Sequence, residues 1–192
     1  MKLFAPLYER ALVWAAHPRA PWYLGALSVA ESSFFPIPPD VMLAPMVLAR
    51  PARWWWFAGL TTLASVFGGL LGYGIGHFAI DLVLPQLHRV GWFEHYETAR
   101  RLFDEWGVWV VFIAGFSPIP YKIFTIASGA AGMALLPFTI ASLLGRAARF
   151  FLVAGLVRTV GPRIEPMLRR HIDTVGWITV AVALIAWLLL HR

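Results

Sequence analysis

Two stretches decide how this chain is read: Phe34-Phe35-Pro36-Ile37-Pro38-Pro39-Asp40 and Phe116-Ser117-Pro118-Ile119-Pro120-Tyr121-Lys122. Offset by 82 residues, they superimpose. Phe34 falls on Phe116, Pro36-Ile37-Pro38 on Pro118-Ile119-Pro120, Val41 on Ile123, and Asp40 on Lys122. A proline lacks the backbone donor of a helix and clashes with the preceding turn, so each cluster breaks a helix. Pro36, Pro38 and Pro39 interrupt one apolar stretch, and Pro118 and Pro120 interrupt the other. The arms on either side are short. Thirteen helical residues rise roughly 20 Å, less than a bilayer core of about 30 Å. Two short arms joined by prolines predict a re-entrant hairpin that enters and leaves on one side. Irregular backbone at that depth is tolerated where protein or water satisfies it.

Composition requires a membrane. Hydrophobic residues make up 59% of the 192 positions and charged residues only 14%, with ten Trp. A soluble domain of this size could not bury so much apolar surface, and its charged share would be about 25%. The net charge of +6 is spread between apolar segments. That is the pattern of positive-inside loops, and it excludes a nucleic-acid interface. There is no Cys, so thiolate metal sites and disulfides are excluded. No metal site and no cofactor are expected. The N-terminus has Lys2 but no apolar core before Glu9 and Arg10, so no cleavable signal peptide is expected.

Working outward from the breakers, residues 1–21 read as an interfacial segment and 22–49 as the first re-entrant hairpin. Residues 54–80 form a continuous spanning helix anchored by Trp54, Trp55 and Trp56. Gly68, Gly72 and Gly76 recur every fourth residue on it, a stripe that lets a second helix approach closely. Residues 88–106 read as an amphipathic helix, with Trp92, Tyr96, Ala99, Phe103 and Trp106 on one face and mixed charge elsewhere. Residues 108–136 form the second hairpin, 138–160 the second spanning helix, and 161–192 a basic loop with a C-terminal spanning helix over 174–190. The repeating unit is a hairpin plus a spanning helix. A single crossing separates the copies, so the second is inverted, and the two tips meet near the midplane. The fold class is therefore an all-α integral membrane protein with an inverted repeat. Such repeats place ligand sites among broken helices.

Five charges fall inside apolar segments: Glu31, Asp40, Lys122, Arg146 and Arg149. Each costs about 2.5–3.5 kcal/mol on insertion scales, so intramembrane ionisable residues are functional by default. Arg146 and Arg149 are three apart and share a helix face. The repeat offset places Asp40 opposite Lys122, so an ion pair between the tips is expected. The bland alternatives are a helix N-cap for Asp40 and a purely structural partner for Lys122. Three cations against two anions suit an anionic headgroup. His77 reads as an interface residue. Ser128 with His77 does not read as an intramembrane protease, because its chain order is reversed. No phosphate-binding Gly-rich loop with Lys-Ser/Thr is present, so no nucleotide motor and no enzymatic activity are expected.

The order of these motifs resembles the DedA family of membrane proteins, whose domain is also called the VTT or SNARE-associated domain. The resemblance rests on Glu31 in its apolar segment, FFPIPPD, LASVFGGLLGYGIGH, FSPIPYK with SGAAGM, and GRAARFF, over roughly 22–160. The short length and the FSPIPYK form resemble its YqaA-like branch. The resemblance implies facing re-entrant helices and movement of lipids across the inner (plasma) membrane. Family substrates include phospholipids and undecaprenyl phosphate, with proton coupling in some members. The family's essential acids fall on Glu31 and Asp40, and its essential arginines on Lys122, Arg146 and Arg149. Typical members carry arginine where this chain has Gly115 and Lys122. A lysine meets phosphate as a point charge rather than a fork. The expected partners are membrane lipids with anionic headgroups. The competing readings are a structural or assembly factor with a closed charge network, and a small-ion or drug transporter.

Overall fold

The computed structural model describes the backbone of residues 10, 13–33, 37–89, 93–117 and 121–190, and most of their side chains up to 163. Among the described residues the chain is all helical: α1 Ala20–Ser33, α2 Asp40–Ala49, a 3-10 turn Pro51–Arg53, α3 Trp54–Arg89, α4 Phe93–Phe116, α5 Tyr121–Ala130 and α6 Leu135–Leu190. Both proline clusters coincide with helix breaks, α1 to α2 and α4 to α5. Pro38 and Pro39 lie in the first break, with Pro39 at the N-cap of α2. Pro36, Pro118 and Pro120 lie outside the described residues.

The arms α2 and α5 are both ten residues long. Residues Asp40 and Tyr121, Ala49 and Ala130, and Trp54 and Leu135 bound equivalent helices, each pair 81 residues apart. Packing recurs with them. The first arm of each hairpin packs on the long helix that follows it, α1 on α3 and α4 on α6. The second arm crosses to the other long helix, α5 on α3 and α2 on α6.

Among the described residues, two helices are long and apolar enough to cross a membrane, over Pro51–Leu82 and Leu135–Gly161. On α3 the apolar side chains Leu63, Phe67, Leu71, Ile75 and Phe78 are exposed at helical spacing. The opposite face holds Thr61, Ser65 and the glycines, which are buried. Apolar outside and polar inside is the pattern that lipid solvent selects.

Glycine spacing sets the closest approaches. A Cβ on Gly68 would overlap the Val29 carbonyl of α1, and one on Gly76 would overlap the Ile126 carbonyl of α5. Gly129 answers from α5, against the Tyr73 carbonyl. The Ser33 hydroxyl uses the same proximity to donate to the Gly68 carbonyl at 2.9 Å. Beyond α5, Gly132 adopts φ 71°. The Met133 amide reaches the Ser128 carbonyl and the Gly132 amide the Gly129 carbonyl, both at 3.1 Å, which is a Schellman stop.

Two apolar clusters fill the bundle. One joins α1, α2 and facing parts of α3 and α6 around Leu24, Leu43, Phe57 and Phe150. The other joins α4, α5 and α6 around Val111, Tyr121, Met133 and Phe138. A buried polar group separates them: Ser28, Ser32, Ser65, Thr125, Ser142 and Arg146.

Two helices run on where the sequence reading divides them. The amphipathic stretch and the first arm of the second hairpin are one helix, α4, running through Gly107. A single glycine costs only about 1 kcal/mol in a helix, and the apolar face carries on across it. The second spanning helix, the basic stretch after it and the backbone of 174–190 are one helix as well, α6. The helix runs through the charged residues at 163–170 and also through Pro162 and Pro166, although each proline removes a backbone donor. The side chains of 174–190, where a last crossing is expected, lie outside the described residues, as do those of Trp92, Tyr96 and Ala99.

Candidate functional site

The arginines of α6 anchor the site. Arg146 is fully buried. Its Nη2 donates to Glu31 Oε2 on α1 at 2.5 Å and to Ser32 Oγ at 3.0 Å. Its Nε donates to Ser65 Oγ on α3 at 2.5 Å. Ser65 and Ser32 hydroxyls lie 2.6 Å apart, and Ser32 donates to Glu31 Oε2 at 2.9 Å. With that proton committed, Ser65 is the donor to Ser32. A chain of hydrogen bonds therefore runs from the guanidinium through two hydroxyls to the carboxylate. The guanidinium plane is also covered by rings, with the Tyr121 centroid at 4.7 Å and the Phe150 centroid at 4.8 Å. Tyr121 is held by its hydroxyl, which donates to Ser142 Oγ at 2.5 Å.

One turn along α6, Arg149 spans both helix breaks. Its Nη2 donates to Asp40 Oδ2 at 2.5 Å, and its Nη1 to the Ser117 carbonyl at 3.0 Å. Asp40 opens α2 and Ser117 follows the last residue of α4. A single side chain therefore ties the start of one arm to the end of another. The two ion pairs differ in exposure. The side chains of Arg146 and Glu31 are 0% and 12% exposed, whereas those of Arg149 and Asp40 are 15% and 25% exposed.

Glu31, Asp40, Arg146 and Arg149 are thus brought together as the sequence places them in one constellation. The partner of Asp40 differs. The repeat offset points to Lys122, but the structure gives Arg149. The offset matches positions along two arms, whereas both arginines come from the one long helix that the tips face. Lys122 is the second residue of α5, half-buried, with its carbonyl accepting from Thr125 Oγ1 at 2.9 Å. Asp40 is not the N-cap of α2 either: Pro39 holds that position without a side-chain cap bond, and Asp40 sits in the first turn. Its negative charge still favours the helix N-terminus there.

Sequence reading did not single out Ser32, Ser65, Tyr121, Ser142 or the Ser117 carbonyl. Ser32, Ser65 and Ser142 carried one usable signal. They are hydroxyls in otherwise apolar helices, where a polar group buried without a partner is costly. Two buried polar atoms lack a partner among the described residues, Arg146 Nη1 and Asp40 Oδ1. The described residues contain no cluster of His, Asp or Glu able to hold a metal ion. Gly68, Gly72 and Gly76 frame the site from α3: a Cβ on Gly72 would press on Thr125 Oγ1 and stand 3.3 Å from the Ser32 carbonyl.

Residues 37–159 match the model of the VTT domain. The whole chain aligns with an uncharacterized protein of Haemophilus influenzae at 44% identity, covering 100% of both chains. A protein of Histophilus somni is 45% identical, over 99% of this chain and 100% of its own length. No solved structure matches. The matched span takes in α2 through most of the apolar part of α6, and with it four of the five intramembrane charges. The chain belongs to the VTT-domain, or DedA, family of membrane proteins.

Proposed function

We propose that this protein is a multi-pass lipid translocator of the inner (plasma) membrane that admits an anionic headgroup between two re-entrant hairpins. In this reading the halves form an inverted repeat, with the breaks at 34–39 and 117–120 facing each other within the bilayer. Contacts at two levels of α3 support it. At the end near Trp54, Arg50 Nη2 donates to the Ala16 carbonyl at 2.5 Å, and Arg158 lies 5.5 Å from the Trp54 ring. About 28 Å farther along the helix, the Tyr73 hydroxyl donates to the Met133 carbonyl at 2.5 Å. In this reading the bases of the two hairpins lie at these two levels.

The observation that carries the proposal is the pair of carboxylate–guanidinium contacts at the breaks, each with an unpartnered polar atom. Arg146 Nη1 can donate to a phosphate oxygen, and Asp40 Oδ1 can accept from a proton or a headgroup amine. Arginine matches phosphate as a fork. In the empty state Glu31 and Asp40 neutralise the arginines; when a headgroup enters, an anion replaces a carboxylate, which is released to take a proton. Arg149 and Asp40, the more exposed pair, meet the headgroup first.

A second reading has its own observation. Arg146 is sealed and held by three oxygen atoms, as in a closed charge network that fixes the fold of a structural or assembly factor. Buried ionic groups are weak evidence for stability and can serve specificity instead. Liposomes loaded with fluorescent phospholipid or polyprenyl phosphate separate the two. Translocation by the native protein, lost in Glu31→Gln and in Arg149→Ala while both stay folded in the membrane, is the expected result. Absence of translocation of either lipid class by native protein would leave the structural reading.

A further inference from the structure

Beside the first hairpin lie two open hollows that the charge constellation does not use. The larger, about 690 Å³, lies between α1 and α2, lined by Ala26, Ala30, Val41, Pro45 and Met46. Among the described residues, Arg10 is the charged residue on its wall. The smaller, about 310 Å³, is lined by His17, Arg19 and Ala20 among others. Trp14 and Tyr23 line both, their rings 5.9 Å apart. The whole space is therefore apolar along the arms and basic at the base of the hairpin.

We propose that this space binds one anionic phospholipid, with an acyl chain between α1 and α2 and the phosphate at Arg10, His17 and Arg19. Three observations commit it to that occupant. The wall is apolar where a chain would lie, because small Ala26 and Ala30 stand four apart on α1 and leave a trough. Among the described residues the charge on the walls is positive, from Arg10 and Arg19. The length fits a single leaflet. From Arg19 to Ala30 a helix rises about 16 Å, close to half of a hydrocarbon core of about 30 Å. A water-soluble anion would have no use for the trough, and a neutral lipid none for the arginines. The deep end is next in sequence to both acids, Ala30 before Glu31 and Val41 after Asp40. The site is one of binding, and it holds whether or not the lipid is then moved.

Native mass spectrometry of the full chain, released from detergent containing equal phosphatidylglycerol and phosphatidylcholine, tests it. One phosphatidylglycerol per chain is expected, preferred by about thirtyfold, the order that two basic side chains near a headgroup provide. Ala26→Trp and Ala30→Trp fill the trough and should lose the bound lipid. Arg10→Gln with Arg19→Gln should keep a lipid and lose the preference. Leu71→Trp, on the exposed face of α3, should bind as the native chain does. Equal retention of both lipids by the native chain overturns the proposal, as does undiminished retention in Ala26→Trp. Lipid that binds only after residues 1–9 are removed overturns it too, since the chain's own N-terminus would then be the occupant.

Discussion

At the scale of single residues, the two ion pairs make different predictions because they are buried to different degrees. Removing one member of a buried pair strands a charge and typically costs about 3–5 kcal/mol, whereas removing both can be neutral. Arg146→Met alone should therefore lower the detergent melting temperature sharply, and Arg146→Met with Glu31→Gln should recover much of the loss. A double variant no more stable than the single would mean that the serines, not Glu31, hold Arg146. The more exposed Asp40–Arg149 pair should couple more weakly. The exchange Asp40→Arg with Arg149→Asp should restore part of what either change loses, and no recovery would show that the Ser117 carbonyl is the contact that matters. The acids and arginines were legible in the sequence because a charge in an apolar segment is conspicuous. Their pairing was not. Position within a repeat says which residues are equivalent, but a partner is chosen by distance, and α6 stands nearer to Asp40 than the offset implies. The hydroxyl relay through Ser32 and Ser65 was hidden for another reason: a lone serine is ordinary in a membrane helix until a second one faces it.

At the scale of elements, close backbone approach divides the glycines of α3 and α5. Gly76→Leu or Gly129→Val would drive side-chain atoms into a facing carbonyl, so α5 must move off α3. Overpacking of this kind costs about 1–3 kcal/mol. Gly74→Ala meets nothing within 4 Å and replaces a glycine inside a helix, so it should be neutral or stabilising by up to about 1 kcal/mol. Equal melting temperatures for Gly76→Leu and Gly74→Ala would contradict the packing described. Both breaks and both long helices were readable from prolines, apolar run length and the glycine period. The continuous passage through Gly107 and on past residue 161 was not: the polar-to-apolar change at Gly107 reads as a boundary, and Gly161, Pro162 and Pro166 read as a break that α6 does not take. A short re-entrant arm also looks the same in sequence whether it starts anew or extends a neighbour.

For the whole molecule, basic residues distribute unevenly about the two long helices. If residues 1–21, 50–53 and 158–173 share one side, as the sequence reading has it, that side holds nine Lys and Arg, against four at 89, 100, 101 and 192. The positive-inside rule then puts that side in the cytoplasm and residue 95 outside. The chain has no cysteine, so single cysteines can be labelled without background. Position 51 should be protected from an impermeant maleimide in intact cells, and position 95 should react; the reverse pattern would invert the orientation. One asymmetry has an electrical consequence. Both acids of the ion pairs belong to the first hairpin, and both arginines to α6. If the hairpin swings and α6 stays, the motion displaces two elementary charges through the transmembrane field. Across a quarter of the membrane this amounts to about 1 kcal/mol per 100 mV. Transport would then depend on voltage even for a net-neutral lipid, with a rate that changes several-fold when a potassium diffusion potential is imposed on the liposomes. A rate indifferent to that potential would mean that the carboxylates move together with their arginines, or protonated, and that the cell's resting potential exerts no force on the gate.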